Sequence, residues 1–72
     1  MQYYAIQHKE TGRYLSGTDF SRADGKPRQF FSSPDRPPLL LSGDRLGYEL
    51  KRRRIDTRRY RVVVVEIRKA VL

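Results

Sequence analysis

The chain has 72 residues, no cysteine and a formal net charge of +8 at pH 7. This length predicts one small domain over residues 1–72, whose core supplies only about 3–5 kcal/mol of net stability unless a disulfide or metal reinforces it. The missing cysteines exclude disulfides, thiol chemistry and cysteine-ligated metal sites, and no run of about 18 apolar residues indicates a membrane span.

The first predicted element is a β-hairpin. In residues 1–9 the side chains of Tyr4, Ile6 and His8 fall on one face of a strand. Polar residues lead to Gly12, which is typical of a hairpin loop whose glycine adopts the left-handed conformation. Residues 13–16 then return as the second strand.

The next stretch, residues 16–29, has no periodicity and is rich in turn formers, so we expect a flexible loop. Phe20 is its only large apolar side chain. We favour the interpretation that Phe20 pins the loop to the core, and the alternative is an exposed contact with a partner. Residues 29–32 then predict a short third strand.

The hairpin and third strand carry a family resemblance. Residues 3–15, YYAIQHKETGRYL, and residues 26–33, KPRQFFSS, resemble small phage- and prophage-encoded accessory proteins with a YYAIxHKxTGxYL-type hairpin and a PRxF-type strand. The resemblance implies a phage or prophage origin, a helix, and a final strand like residues 62–67. It implies no catalytic residue, because those proteins are mostly without assigned function. Gln29 departs from the pattern, since an apolar residue is usual there, and no alanine-rich helix follows Ser33.

Residues 33–55 are compatible with two structures. A helix beginning at Pro38 would align one stripe of residues on a single face: Leu39, Gly43, Leu46 and Leu50. The alternative is a hairpin that pairs residues 39–41 with residues 46–50. Two glycines in this stretch oppose the helix, since each costs about 1 kcal/mol relative to alanine. We favour a short helix, partly because the resemblance implies one.

The last predicted element is a strand within residues 58–67, which contains four consecutive valines. Both of its faces are apolar, a pattern typical of a strand that is central in its sheet and covered on each side. The sequence therefore predicts an α+β fold with a small antiparallel sheet, made of the N-terminal hairpin, the short third strand and a central C-terminal strand, plus one short helix. The alternative is an all-β meander or barrel.

Positive charge is concentrated in the C-terminal third. Residues 46–72 carry nine positive and three negative side chains, whereas residues 1–20 balance to zero. Such a concentration of positive charge favours a polyanionic partner, because a guanidinium group can form paired hydrogen bonds with a phosphate and an aromatic ring can stack on an unpaired base. The same pattern also fits a solvated rim that keeps a small domain soluble. The candidate binding residues are Lys51, Arg52, Arg53, Arg54, Arg58, Arg59, Tyr60 and Arg61.

No residues in the sequence indicate catalysis. His8 has no second histidine or cysteine with which to hold a metal, so we interpret it as a structural or surface residue. Asp19 and Asp24 lie close in sequence, but without a nucleophile or phosphate cradle they are better interpreted as turn residues. We expect no enzyme activity and no cofactor.

The sequence thus predicts a phage-type accessory binding protein of the bacterial cytoplasm, without a signal peptide or membrane partner. Its basic C-terminal surface would engage the backbone of DNA or RNA, or a nucleoprotein. The alternative is an inhibitor that blocks a host protein by occupancy, for example a CRISPR effector, a restriction system or a host polymerase, through an acidic patch on that protein.

Overall fold

The computed structural model describes residues 2–67 and contains two antiparallel two-stranded sheets and one helix. One sheet pairs β1 with β4, and the other pairs β2 with β3. This arrangement confirms the predicted α+β class, and the described residues form no closed barrel. The elements are β1 (Gln2–His8), β2 (Leu15–Asp19), β3 (Arg28–Phe31), α1 (Gly43–Arg52) and β4 (Tyr60–Glu66).

β1 is the strand that has neighbours on both of its edges. β4 lies along one edge, in a register that runs from Gln2↔Glu66 to His8↔Tyr60. On the other edge, Tyr4 exchanges two backbone hydrogen bonds of 2.8 Å with Leu41, and the His8 N–H donates to the Arg13 carbonyl at 2.8 Å. Within residues 2–67, β4 therefore lies at an edge of its sheet and not at the central position predicted for it.

Side-chain burial follows this arrangement. Ala5 and Ile6 point to opposite faces of β1 and are each only 1% exposed, whereas Val62 and Val64 of β4 are 40% and 56% exposed. The valine run has the composition of a central strand. Composition, however, does not determine which strand gains a second neighbour, because that depends on where the connecting segments return.

The turn after β1 forms as predicted. Gly12 has a φ of +74°, and its N–H donates to the His8 carbonyl at 2.9 Å. The returning chain meets β1 at the His8–Arg13 hydrogen bond and at an isolated bridge between Gln7 and Tyr14, and then continues as β2. β2 pairs with β3, so the two strands take up both ends of the segment predicted as a loop over residues 16–29. The connection between them is residues 20–27.

The segment with two possible structures contains the helix. α1 starts at Gly43, five residues after Pro38, because residues 39–41 run extended along other strands. Leu41 pairs with Tyr4, and the Leu39 N–H donates to the Leu15 carbonyl at 2.9 Å. Lys51 and Arg52 lie in the last turn of α1, where cations are favoured by the helix dipole.

The core is small and lies between α1 and the two sheets. Its buried cluster is Ile6, Leu15 and Leu41, and five partly buried side chains pack against it: Leu39, Leu46, Leu50, Ile55 and Tyr60. Among residues 2–67, no helix has the length and apolar character needed to cross a membrane. The core thus joins residues of β1, β2, residues 39–41, α1, its connection to β4 and the start of β4.

Candidate nucleic-acid interface

Arg53 is a buried structural residue. Its side chain sits against Glu49, whose Oε2 accepts hydrogen bonds from Arg53 Nε at 3.2 Å and from Nη2 at 2.9 Å. Its Nη1 donates to Thr18 Oγ1 at 2.8 Å, and the whole residue is 8% exposed. Contrary to the sequence-based prediction, the Arg53 guanidinium is therefore not available to a phosphate group; it ties the end of α1 to β2.

Gln29 completes this polar network between the helix end and the second sheet. The Thr18 hydroxyl donates to Gln29 Oε1 at 2.6 Å, and Gln29 Nε2 donates to the Arg53 carbonyl at 2.8 Å. Thr18, Gln29 and Arg53 thus each form a hydrogen bond with the other two. This network accounts for the polar side chain at position 29, where the family resemblance led us to expect an apolar one.

Glu49 carries the negative charge of the network and is 5% exposed. Hydrogen bonds from Arg53 are the largest cause of a lowered pKa of the Glu49 carboxyl; burial opposes the shift, and the charges of Arg53 and Arg52 add to it. The i, i+4 spacing of Glu49 and Arg53 within a predicted helix is the sequence signal that could have revealed this pair.

The helix end also presents an arginine stacked on an aromatic ring at the surface. The guanidinium carbon of Arg52 lies 4.4 Å from the ring centroid of Phe20, and Arg52 Nη1 lies 3.1 Å from Glu49 Oε1. Phe20 is 44% exposed, so the favoured interpretation that it joins the core is wrong. Lys51 and Arg54, which flank Arg52 and Arg53 in the sequence, are also exposed. The helix end therefore combines cations with an aromatic ring that is partly exposed.

A second basic group lies where the β1 turn meets the start of β4. His8, Lys9, Glu10, Arg58 and Arg59 line a groove of about 320 Å³. The Lys9 N–H donates to the Arg59 carbonyl at 2.8 Å, which brings the two basic residues together. The Arg58 side chain is 92% exposed, and its Nε lies 3.4 Å from Asp56 Oδ1. Three cations against one lining carboxylate give this groove a net positive charge.

Lys9 was missed in the sequence because its neighbours there are polar and of mixed charge. Only the antiparallel register of β1 and β4, extended by one residue beyond His8↔Tyr60, brings it to Arg59. Arg61 lies on β4 opposite Gln7 and is exposed.

Tyr60 is half-buried and packs against other rings. Its ring lies parallel to that of Phe31, with centroids 6.4 Å apart and an interplanar angle of 6°, and the edge of His8 approaches it at 5.0 Å. Burial raises the pKa of the Tyr60 hydroxyl. The three rings come from β4, β3 and β1, so this cluster joins the two sheets.

Further arginine–aromatic contacts lie outside the C-terminal third. Arg28 and Arg36 lie over the ring of Phe30, with guanidinium carbons 5.5 Å and 5.1 Å from its centroid. Arg13 lies 5.4 Å from the centroid of Phe31. Such pairs orient guanidinium groups at the surface while leaving N–H donors for a ligand. The basic surface is thus wider than the sequence analysis indicated.

The residues considered for catalysis make local contacts. His8 Nδ1 accepts the N–H groups of Glu10 and Thr11 at 3.3 Å and 3.4 Å. Asp19 accepts the Ser21 hydroxyl and N–H at 2.6 Å and 2.9 Å, and these bonds lower the pKa of its carboxyl. Asp24 accepts the Lys26 N–H at 3.0 Å and pairs with Arg22 at 3.1 Å. Both aspartates are turn residues, as predicted.

The described part of the chain contains no group of three or more histidine, aspartate or glutamate residues that could hold a metal ion. Comparisons with protein-family models, with curated proteins and with solved structures found no match.

Proposed function

We propose that this protein is a non-catalytic binding protein whose exposed arginines engage the phosphate backbone of nucleic acid, free or within a nucleoprotein. The observation that supports it best is unneutralised positive charge. Within residues 2–67, several exposed cations from the helix end, the β1 turn and β4 form no ion pair: Lys9, Lys51, Arg54, Arg59 and Arg61. Charges of this kind release condensed counterions from a polyanion, which drives binding with little sequence preference.

Exposed aromatic rings favour single strands as the ligand. Phe20 is 44% exposed under Arg52, and Tyr48 on α1 is 63% exposed. An exposed ring beside a guanidinium can stack on an unpaired base, whereas paired bases within a duplex present no free face to it. Phe20 therefore replaces Tyr60 as our candidate stacking residue, and we assign the backbone contacts to the exposed cations of the helix end, the β1 turn and β4.

Origin and setting belong to the same proposal. The resemblance of the opening hairpin and of the PRxF-type strand supports a phage or prophage accessory protein that acts in the bacterial cytoplasm. Nucleic acids and nucleoproteins are abundant there, so a basic accessory protein would meet its ligand without any targeting step.

One observation favours the second candidate, an inhibitor that binds a host protein. An apolar groove of about 360 Å³ lies between the β1–β4 sheet and the proline-rich segment, lined by Ala5, Tyr14, Pro37, Pro38, Leu40 and Val65. Leu40 at its side is 40% exposed. Apolar concavities of this size commonly accept a side chain of a protein partner.

Fluorescence anisotropy against single- and double-stranded DNA and RNA of unrelated sequences tests the first proposal. At about 50 mM salt we expect the protein to bind all four kinds of nucleic acid, because counterion release contributes most to binding at low ionic strength. Phe20→Ala should weaken single-strand binding by about 1–3 kcal/mol and leave duplex binding almost unchanged. Tyr60→Phe, which keeps the packed ring, is the matched control and should change neither.

A pull-down from bacterial lysate, with and without nuclease, distinguishes the two candidates. Loss of every captured protein after nuclease treatment supports nucleic-acid binding. The absence of any anisotropy change, together with a nuclease-resistant protein partner, would overturn the first proposal and support the second.

A further inference from the structure

The outer edge of β4 is an apolar strand edge that has no strand partner among residues 2–67. Val62 lies opposite Ile6 in the β1–β4 register, yet Val62 is 40% exposed and Ile6 is 1% exposed. Val64 is 56% exposed. Proteins commonly protect such edges with a charged residue, a proline or a bulge, and an unprotected edge pairs readily with another strand. The four valines at positions 62–65 carry no such protection.

The backbone directions along β4 show which groups this edge offers. The Lys9 N–H donates to the Arg59 carbonyl, so the backbone groups of Arg59 point toward β1. Alternation along an antiparallel strand then turns Val63 toward β1 and turns Val62 and Val64 outward. The opposite strand agrees, because Tyr4 bonds to Leu41 on the far side of β1. The edge therefore offers the N–H and C=O groups of Val62 and Val64.

We propose that the occupant of this edge is a second copy of the chain, with the two β4 strands antiparallel about a two-fold axis at Val63. β4 spans Tyr60–Glu66 and is centred on Val63, so this register overlaps the strand along its whole length. Val62 then exchanges two backbone hydrogen bonds with the partner's Val64. Val63 faces the partner's Val63, and Arg61 lies opposite the partner's Val65.

This register is self-complementary, which favours a second copy over an unrelated strand. Moving the axis to Val62 or Val64 would leave the ends of β4 unpaired. With the axis at Val63, no two like charges within β4 lie directly opposite each other, and exposed valines meet exposed valines. The dimer would form a continuous four-stranded sheet in which β4 has neighbours on both sides. That is the environment that a strand apolar on both faces requires.

Net charge sets the salt dependence of this association. Each copy carries +8, so two copies repel one another at low ionic strength. Raising the salt concentration shortens the Debye length from about 10 Å at 0.1 M to about 3 Å at 1 M. The repulsion between the two copies then weakens, so the dimer should become more stable. Nucleic-acid binding should weaken over the same range, because counterion release then gains less. The inference does not depend on the proposed function, and the two are separable by the sign of their response to salt.

Sedimentation equilibrium of the full chain tests the dimer. We expect the dimer dissociation constant to fall at least roughly tenfold between 0.1 M and 1 M salt. Val64→Lys should abolish dimerisation because it places a charge on the paired edge. Tyr48→Lys adds the same charge at a side chain that is 63% exposed on α1, and it should leave dimerisation unchanged. A parent protein that stays monomeric at both salt concentrations would overturn the proposal.

A cysteine cross-link tests the register and does not require a destabilising charge. The chain has no cysteine of its own. Val63→Cys would place two thiols across the axis in a non-hydrogen-bonded pair, where Cα atoms lie about 4.5 Å apart and a disulfide fits. In a glutathione redox buffer, we expect Val63→Cys to form a covalent dimer much faster than Tyr48→Cys. Equal rates for the two variants would contradict the proposed register.

Discussion

Replacing Arg53 with alanine should destabilise the protein far more than the same replacement of its neighbour Arg54. Both arginines follow α1, and each substitution removes one positive charge. Arg53 is 8% exposed and bonded to Glu49 and Thr18, whereas Arg54 is exposed and forms no ion pair within residues 2–67. Comparing the two variants therefore separates the effect of the buried contacts from the effect of charge.

The magnitude follows from the bonds that Arg53 makes. Arg53→Ala removes two hydrogen bonds to Glu49 Oε2 and one to Thr18 Oγ1. Breaking a buried ion pair by removing one partner costs about 3–5 kcal/mol, because the other charge is left uncompensated. Glu49 keeps Arg52 at 3.1 Å, so we expect the lower end, about 3 kcal/mol. That is most of the stability of a domain this small, while Arg54→Ala should cost less than about 0.5 kcal/mol.

Urea denaturation followed by far-ultraviolet circular dichroism at pH 7 measures both variants. A double-mutant cycle with Glu49→Gln should give a coupling free energy between Glu49 and Arg53 of about 2 kcal/mol or more. Equal unfolding midpoints for Arg53→Ala and Arg54→Ala, or a coupling near zero, would refute the buried network.

Three further predictions concern stability and local structure. The pKa of Glu49 in the folded protein lies below its ordinary value of 4.5, so the stability that Glu49 contributes is present above that pH and is lost as the pH falls through the folded pKa. Glu49→Gln should therefore flatten the acid side of the pH–stability profile measured by urea denaturation. Amides of β2 and β3 should exchange hydrogen more slowly than those of residues 20–27, as measured by mass spectrometry, and uniform exchange across residues 15–31 would contradict the strands. Ile6→Ala should cost about 2–5 kcal/mol in urea and Val62→Ala less than about 1 kcal/mol, because Ile6 is 1% exposed and Val62 is 40% exposed; similar losses would contradict the edge position of β4.

Local signals in the sequence were sufficient for the elements whose structure is determined by nearby residues. Gly12 predicted the left-handed turn, and the stripe through Leu46 and Leu50 predicted a helix despite its two glycines. The strand near residues 29–32 was found within one residue of its observed bounds. Each of these features depends on residues close together in the chain.

Contacts between distant residues account for what the sequence did not predict. β1 has a second neighbour because Leu41 pairs with Tyr4, and no local sequence pattern predicts that pairing. Arg53 looked like one of four equivalent cations until the chain brought Thr18 to it, 35 residues away. Tyr60 looked like an exposed ring, but Phe31 from the other sheet packs against it. Composition thus predicts which side chains can be buried or bind, and the tertiary pairing decides which of them do.

Our central claim is that exposed cations near the α1–β4 connection contact a phosphate backbone, whereas exposed cations such as Arg22 and Arg45 do not. The salt dependence of binding to a single-stranded oligonucleotide tests it most directly. Four to six single-strand contacts give a slope of log affinity against log salt of roughly −3 to −4, at about −0.7 for each contact.

Two triple variants of equal net charge provide the comparison. One replaces Arg54, Arg58 and Arg59 with alanine, and the other replaces Arg22, Lys26 and Arg45, which are also exposed. We expect the first variant to flatten the slope by about two units and to weaken binding equally for unrelated sequences, since phosphate contacts do not read bases. The second variant should keep the parental slope. Equal slopes for the two variants would contradict a binding surface at the α1–β4 connection.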